Sequence, residues 1–466
     1  MKNKILTFII GVLVGAIITT AGFLIYEKVN NNSNSMPNGE RPQMMEGENE
    51  GTPPEKPDGE TGQMRGNSSD ITYSSAKEIN EDTSINNGEY SSENEDENAL
   101  LVNGDINAEI SNIEVTKTGD SDGGDNTSFY GTNSAILAKA KANLNLKNIT
   151  VTTNATGANG VFSYGGSATT NNSSNDGTTV TISDSTITTT KDNSGGIMTT
   201  GGGTMKASNL TINTAGTSSA AIRTDRGGGT VTVDGGIYTT TGQGSPTIYS
   251  TANVTVENSK LISKASEGIV IEGKNSVTIN NCDLTDSNTK LNGQSTTYKN
   301  IFLYQSMSGD AADGIAEFTA NNSKITTNNG DIFYVTNTTA TINLSNNTII
   351  NNDSAGNFLR VQKDSWGKTG SNGGDVTLVM NNQKATGNIV IDSISTLDMT
   401  MTSDSYYEGA ININNSAKEI TLKLDSSSKI KLTGDSYVTT LEDKDTSYSN
   451  IDFNGYKLYV NGVAIN

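Results

Sequence analysis

The stretch VTISDSTITTTKDNSGGIMTTGGG, residues 180–203, decides the fold of this chain. Apolar and hydroxyl side chains alternate along its first half, glycines then interrupt it, and the pattern nearly starts again. Alternation with a period of two residues is typical of a β-strand that has one buried face. Because the stretch carries almost no chemically reactive side chain, it indicates a structural repeat and not a catalytic motif.

The same pattern, apolar-x-apolar-x-[Asn/Asp/Gly]-x-x-apolar, occurs nine times along the chain. Successive copies start 36, 36, 25, 26, 23, 23, 41 and 24 residues apart, so the basic unit has 23 to 26 residues and the longer intervals contain insertions. A period of this length predicts a solenoid, in which no unit can bury its apolar face alone. The copies are AEISNIEV from Ala108, LNLKNITV from Leu144, VTISDSTI from Val180, MKASNLTI from Met205, VTVDGGIY from Val231, VTVENSKL from Val254, VTINNCDL from Val277, FTANNSKI from Phe318 and INLSNNTI from Ile342.

The fifth position of the pattern predicts a tight bend at the same place in every coil. Asn, Asp and Gly are the residues that tolerate a left-handed backbone at low cost. Stacked asparagines at this bend can also hydrogen-bond to one another along the solenoid axis. The position is occupied by Asn112, Asn148, Asp184, Asn209, Gly235, Asn258, Asn281, Asn322 and Asn346.

A second short strand follows in each unit, which predicts the complete fold. Two or three short strands per coil, stacked at the spacing of strands in a sheet, describe a parallel β-helix. We therefore expect an all-β, single-stranded parallel β-helix over residues 71–466. The second strands are GVFSY at 160–164, GGIMT at 195–199, AAIRT at 220–224, PTIYS at 246–250, GIVIE at 268–272, NIFLY at 300–304, DIFYV at 331–335 and NFLRV at 357–361.

The composition excludes some classes of protein. With 466 residues, 32% hydrophobic and 6% aromatic, the chain has too few apolar side chains for several well-filled compact cores. Its formal net charge of -20 argues against nucleic acid as a partner, because phosphate binding needs clustered Lys and Arg. The single cysteine, Cys282, rules out an internal disulfide, so the repeat must supply the stability.

The N-terminal segment predicts attachment to a membrane. Residues 5–26 form an uncharged run long enough to cross a ~30 Å hydrocarbon core as a helix, and Lys2 and Lys4 favour a cytoplasmic tip at residues 1–4. Residues 27–70, rich in Pro, Gly, Asn and Glu, predict a disordered linker. We expect a single-pass anchor with the bulk of the chain outside the cell; the alternative is a cleaved secretory signal.

Several longer motifs resemble one known family. They are similar to right-handed, pectin-lyase-like β-helix proteins of Gram-positive bacteria, which are described as adhesin-like surface proteins. The resemblance covers about residues 80–466 and implies a right-handed helix and a cell-surface location, but no catalytic residues. The motifs include SFYGTNSAILAKA, GVFSYGG, SGGIMTTGGGT, SAAIRTDRGGGTV, SEGIVIEGKNSVTINN, LYQSMSGDAADG, GDIFYVTNTTATINLSN, GSNGGDVTL and LTGDSYVTTLEDKDTSYSNIDFNGYKLYVNG.

The candidate binding residues lie in or beside insertions. The insertions 163–179, 305–316 and 362–375 follow second strands, so they should project from one edge of the solenoid, and loops on a rigid scaffold often carry binding residues. Aromatic and charged side chains there suit the apolar faces and hydroxyl edges of sugars. The alternative for Trp366 is a staple packed on the coil below. The candidates are Tyr164, Arg223, Asp225, Arg226, Tyr304, Arg360 and Trp366.

Enzymatic activity has little support in the sequence. The chain contains no histidine, which excludes His-based triads and His-based general acid–base catalysis. It also lacks the adjacent Asp-Asp pair of polygalacturonase-type β-helices. Pectate-lyase-type β-helices use calcium and an Arg or Lys base. The segment from Arg223 to Arg226 is the closest counterpart, but an outward ion pair at a turn is the favoured interpretation, ahead of ligand binding and then catalysis.

No cofactor is required by the sequence, but calcium is one candidate. Asp120, Asp122 and Asp125 provide the hard oxygen ligands that Ca²⁺ prefers, within a glycine-rich loop. The loop is not an EF-hand, because Gly131 occupies the twelfth position counted from Asp120. The sequence favours an ordinary acidic turn over a calcium site.

Taken together, the sequence predicts a membrane-anchored extracellular β-helix that binds a polysaccharide or another surface polymer without catalysis. The first alternative is a calcium-assisted polysaccharide lyase with Arg223 or Arg226 as the base. The second is a surface spacer that has no specific ligand.

Overall fold

The structure is a computed structural model that describes most of the chain after residue 70. The described residues all belong to one compact unit, Met64–Asn466. The predicted anchor and linker lie outside them. No helix in the described part is long and apolar enough to cross a membrane. The described ranges are 71–121, 124–167, 175–293, 295–306 and 308–466.

Each coil contributes strands to three faces of the solenoid, here called A, B and C. Face A, a twelve-stranded sheet, consists of Ser74–Ile79, Glu97–Asn103, Ile136–Lys139, Val161–Tyr164, Ile197–Thr200, Ile222–Thr224, Ile248–Ser250, Ile269–Glu272, Lys299–Tyr304, Asp331–Thr336, Leu359–Val361 and Ile389–Ile391.

Faces B and C form one continuous twenty-stranded sheet that bends along a line. Four long strands cross this bend: Thr83–Ser92, Asn107–Lys117, Gly203–Thr214 and Gly229–Thr240. Face B also contains Asn143–Lys147, Thr179–Ser183, Asn253–Glu257, Ser276–Asn280, Ile315–Asn321, Thr338–Ser345, Gly374–Asn381, Thr396–Thr402, Glu419–Leu424 and Thr440–Asp443. Face C also contains Thr150–Thr153, Thr186–Thr189, Lys260–Ser263, Asp283–Asp286, Lys324–Thr327 and Thr348–Asn351.

The C-terminal coils end in two smaller sheets. One has four strands, Lys384–Thr386, Tyr406–Gly409, Lys429–Leu432 and Ile451–Asp452. The other has three, Ser436–Val438, Leu458–Val460 and Val463–Ala464. The last two of these are antiparallel, whereas the sheets of faces A, B and C pair in parallel. The helical part of the described chain is a π-helical turn, Asn126–Tyr130. The prediction of a parallel β-helix is therefore confirmed.

The bend between faces B and C has a left-handed backbone in successive coils. The eight Asn and Asp residues at the fifth position of the repeat have φ between 50° and 55°, and Gly235 has φ 72°. The side-chain amide of Asn346 donates to Asn322 Oδ1 at 2.8 Å, and that of Asn148 donates to Asn112 Oδ1 at 2.5 Å. These contacts join one coil to the next at the point where the chain turns.

The core is apolar along the faces and polar at the corners. One corner carries a column of side chains in register from coil to coil, each at most 2% exposed: Thr153, Thr189, Thr214, Thr240, Ser263, Asp286 and Thr327. Three of its hydroxyls donate to nearby backbone carbonyls: Thr189 to Ser194 and Thr214 to Ser219, each at 2.5 Å, and Ser263 to Ser266 at 2.8 Å. Because hydrogen-bonded hydroxyls fill the corners, a chain with only 32% hydrophobic residues can still close its core.

Asp286 is the one carboxyl residue in this column of otherwise hydroxyl side chains. It is 0% exposed, and no side chain in the described part donates a hydrogen bond to it. Burial raises the pKa of Asp286 well above the usual value. The backbone N–H groups of Asn288 and Ser287 oppose this increase, and the nearby Glu267 adds to it. A buried carboxyl of this kind destabilises the fold.

We predict that Asp286→Thr stabilises the protein, because Thr matches the hydroxyl residues above and below it. The expected gain is about 1–3 kcal/mol near neutral pH. A pKa raised by folding costs stability as the pH rises above the unfolded value of about 3.9, so the gain should shrink as the pH falls toward that value. Denaturant unfolding at neutral pH and at about pH 5 would measure it, with the exposed Asp313→Thr as control. A variant that is less stable, or a gain independent of pH, would contradict the prediction.

A second prediction concerns the bend. Asn346→Ala should lower the free energy of unfolding by about 1–2 kcal/mol, because alanine tolerates a left-handed backbone poorly and cannot donate to Asn322. Asn346→Gly should cost less, since it loses the hydrogen bond alone. Asn343→Ala, three residues earlier on face B, is the control for loss of an amide from an extended backbone. Equal losses for Ala and Gly at position 346 would mean that the bend imposes no backbone requirement.

Candidate ligand-binding cleft

Face A carries a row of side chains on the side opposite to the core. Successive strands pair in register, so these side chains lie one above the next along the axis. Most members of the row are apolar or aromatic, which is unusual for the outer surface of a β-sheet. In order along the axis, they are Leu101, Leu137, Phe162, Met198, Arg223, Tyr249, Val270, Phe302, Tyr334, Arg360 and Val390.

Loops cover this row in two separate places. Toward the N-terminal end, Phe129 and Tyr130 of the π-helical turn pack on Leu137 and Phe162. Toward the C-terminal end, Trp366 packs beside Phe302, 5.4 Å between ring centroids, within a second cluster. Arg223 and Tyr249 lie between the two covered stretches.

A polar cavity of about 330 Å³ opens at this point. Face A contributes Arg223, Tyr249 and Tyr304 to its walls, and Asp225 directly follows the face A strand Ile222–Thr224. The surrounding loops contribute Asp125, Ser128, Phe129, Asn193, Asn292 and Asp310. Residues from widely separated parts of the sequence therefore meet in one cleft.

The floor of the cleft contains the ion pair between Arg223 and Asp225, with 3.1 Å between Nη2 and Oδ2. Arg223 also donates to Ser128 Oγ and to the carbonyl of Ser218, each at 3.3 Å. Burial raises the pKa of Asp225 to about 6, and Arg223 opposes that increase. Asp225 therefore changes its charge in a pH range where an ordinary aspartate stays ionised.

Arg226 joins the two sides of the cleft. Its guanidinium lies 4.0 Å from the centre of the Phe129 ring and donates twice to Asp310 Oδ1, at 2.6 Å and 3.1 Å. Phe129 belongs to the N-terminal covering loop, and Asp310 belongs to the loop after the strand Lys299–Tyr304. One side chain thus connects two loops that are far apart in sequence.

Glu272 lies behind the tyrosines of the cleft and is 1% exposed. Tyr304 donates to its Oε2 at 3.0 Å, and Tyr249 and Ser306 also donate to its carboxylate. Burial raises the pKa of Glu272, and these three hydroxyls oppose the increase. Burial also raises the pKa values of Tyr249 and Tyr304 well above the usual value, so both phenols stay protonated.

The structure brings together some of the residues proposed from the sequence. Arg223, Asp225 and Tyr304 line the cavity, and Arg226 contacts two of its wall residues. Tyr164 lies in the N-terminal cluster, edge-on to Tyr130 at 5.6 Å between centroids.

Two other proposed residues are placed differently. Trp366 packs on Phe302 and Tyr304, the arrangement expected of a loop staple. Arg360 forms an ion pair with the buried Asp331 at 2.5 Å and lies further along face A than the cavity.

Sequence reasoning missed Tyr249, Glu272 and Asp310. Tyr249 and Glu272 lie in the second strands PTIYS and GIVIE. The sequence signal that could have identified them is an aromatic or acidic residue at a position outside the apolar core pattern. Asp310 lies within the insertion 305–316, but nothing in the sequence pairs it with Arg226.

The proposed calcium loop is only partly within the described residues. Asp122 lies outside them, Asp120 Oδ1 accepts the backbone N–H of Thr156 at 2.7 Å, and Asp125 lines the cleft. In the described ranges, no three acidic, His or Cys side chains are grouped so that they could hold a metal ion. Calcium binding stays a prediction.

The fold and the cleft define this chain as a parallel β-helix protein with a loop-walled polar cleft on one face. Comparison with protein-family models, with curated proteins and with solved structures gave no match.

We predict that Arg226→Ala loosens both walls of the cleft. Amide hydrogen exchange in residues 124–130 and 308–314 should become several-fold faster, because the contacts with Phe129 and Asp310 are both lost. The loss of overall stability should stay within about 1–2 kcal/mol, the usual range for such contacts. Lys264→Ala, at an exposed position after a face C strand, is the control. Unchanged exchange in both loops would show that Arg226 does not hold them.

Proposed function

We propose that this chain is an adhesin-like surface protein that binds a polysaccharide in the cleft on face A. The proposal includes the right-handed, pectin-lyase-like helix that the family resemblance implies, and anchoring by residues 5–26 with the solenoid outside the cell. The observation that carries it is the interruption of the covered apolar row by one polar cavity at Arg223 and Tyr249.

The chemistry of the cleft suits a sugar. Sugars present hydroxyl groups at their edges and C–H groups on their faces. The cavity offers carboxylates at Asp225 and Asp310, side-chain amides at Asn193 and Asn292, and the ring of Tyr249. Binding sites of this size typically combine a few polar groups with aromatic surface in this way. The open mouth between two loops would admit a chain that continues beyond the cavity.

Cleavage of the bound polymer is the second candidate, and the carboxylates favour it. A general acid for glycoside hydrolysis needs a raised pKa, and burial raises the pKa of Asp225 to about 6. An arginine base has less support, because Arg223 and Arg226 are both paired with aspartates and a neutral guanidinium would lose that ion pair. A hydrolase would therefore rely on carboxylates and not on the arginine of the lyase mechanism.

The test is a glycan array with the full-length chain in detergent. We expect at least one polysaccharide to bind. Arg223→Ala and Asn292→Ala should each weaken that binding at least tenfold, because each substitution removes a side chain that lines the cavity. Lys206→Ala on face B is the control and should bind as the parent does. Binding that is unaffected by both cleft variants would move the site elsewhere.

Product analysis distinguishes the candidates. Any polymer that binds is incubated with the protein, and absorbance near 235 nm and new reducing ends are followed. Unsaturated product would identify a lyase, and reducing ends alone would identify a hydrolase. Binding without product supports the adhesin. No binding to any glycan would leave the surface spacer as the explanation.

A further inference from the structure

We propose that the polymer bound in the cleft contains free amino sugars of the glucosamine type, and that the cleft discriminates against polyuronates. This inference rests on the proposed carbohydrate-binding function and specifies its ligand class. It follows from the balance of charges and from the balance of hydrogen-bond donors and acceptors in the cavity.

The charge of the cavity is negative. Three carboxylates line it, those of Asp125, Asp225 and Asp310, against one guanidinium, that of Arg223. Arg226 stands beside the cavity with its charge directed onto Asp310 and the Phe129 ring. The chain as a whole has a formal net charge of -20. A uronate entering the cleft would meet like charges on two sides, whereas an ammonium group would meet opposite charges.

The charged hydrogen-bond donors of the cleft, the guanidinium groups of Arg223 and Arg226, are already engaged. Arg223 donates to Asp225, to Ser128 Oγ and to the carbonyl of Ser218. Arg226 donates both Nε and Nη2 to Asp310. No described guanidinium of the cleft therefore stands without an anionic partner, and a uronate carboxylate would have to displace one of these aspartates.

The hydroxyl groups of Tyr249 and Tyr304 also have no proton left to donate to a ligand. Tyr249 and Tyr304 each donate their hydroxyl proton to Glu272 behind the wall. A phenol that has donated its single proton can only accept further hydrogen bonds. The carboxylates of Asp125, Asp225 and Asp310 make the cavity rich in acceptors. An ammonium group carries three donors and no acceptor, so it complements this wall better than a hydroxyl or an acetamide does.

The test compares binding of four hexamers to the full-length chain by calorimetry. The ligands are glucosamine hexamer, N-acetylglucosamine hexamer, galacturonic acid hexamer and hexalysine. We expect the glucosamine hexamer to bind at least tenfold more tightly than its N-acetylated counterpart, and the galacturonic acid hexamer to give no heat. Affinity for glucosamine should fall as NaCl rises from about 50 mM to about 0.5 M, since salt screens exposed charges.

Asp125→Asn is the informative variant, because Asp125 is exposed in its loop and lines the cavity. It should weaken glucosamine binding several-fold and weaken binding of the N-acetylated hexamer by a smaller factor, because only the glucosamine hexamer carries ammonium groups. Asp313→Asn, an exposed carboxylate outside this cavity, should change neither and serves as its control.

The outcomes separate the two proposals. Equal or tighter binding of the N-acetylated or galacturonic acid hexamer would overturn the amino-sugar class and leave carbohydrate binding intact. If hexalysine binds as tightly as the glucosamine hexamer and depends equally on Asp125, the cleft recognises positive charge and not the sugar. That result would also overturn the amino-sugar proposal. If none of the four hexamers binds in calorimetry and no glycan on the array binds, the proposed carbohydrate-binding function itself is overturned.

Discussion

Hydrogen bonding between successive coils is the interaction on which the whole structure depends. A single coil of 23 to 26 residues has three short strands and too few apolar side chains to fold alone, so it gains stability only when its backbone pairs with the coils above and below. Pairing in register requires every coil to turn at the same place. The left-handed residues between faces B and C meet that requirement, and their side chains add bonds in the same direction as the backbone.

The same register creates the cleft. Parallel pairing places the outer side chains of face A in one row, so a substitution in one coil is always adjacent to the corresponding residue in the next. Where the row is apolar, loops fold over it and exclude water. Where the row contains Arg223 and Tyr249, the covering loops stop on either side and contribute polar groups to the walls. The loop positions therefore follow from the composition of the row.

Much of the fold could be predicted from the sequence, and less of the site. The repeat pattern locates the strands and the bends because period-two alternation and left-handed asparagines are local properties of the chain. Arg223 and Asp225 stood out because a cluster of charges on a surface rich in Thr and Ser has little packing reason to exist. The partnership of Arg226 with Phe129 and Asp310 could not be predicted, because insertions of unequal length bring these residues together across many coils. The two roles left open for Trp366 depended on packing that no local pattern encodes.

The polar groups of the cleft lower the free energy of unfolding of the solenoid. Elsewhere along the row, apolar side chains under a loop bury surface at no electrostatic cost, and Met198 and Val270 on either side of the cleft do so. At the cleft, two carboxylates, Asp225 and Glu272, lose water, and burial raises the pKa of each. Apolar replacements for a buried ion pair are often neutral or stabilising, so the presence of the pair of Arg223 and Asp225 is weak evidence for a role in stability. Functional sites are where local departures from an otherwise consistent packing rule are expected, so this departure supports the binding site that we propose in the cleft.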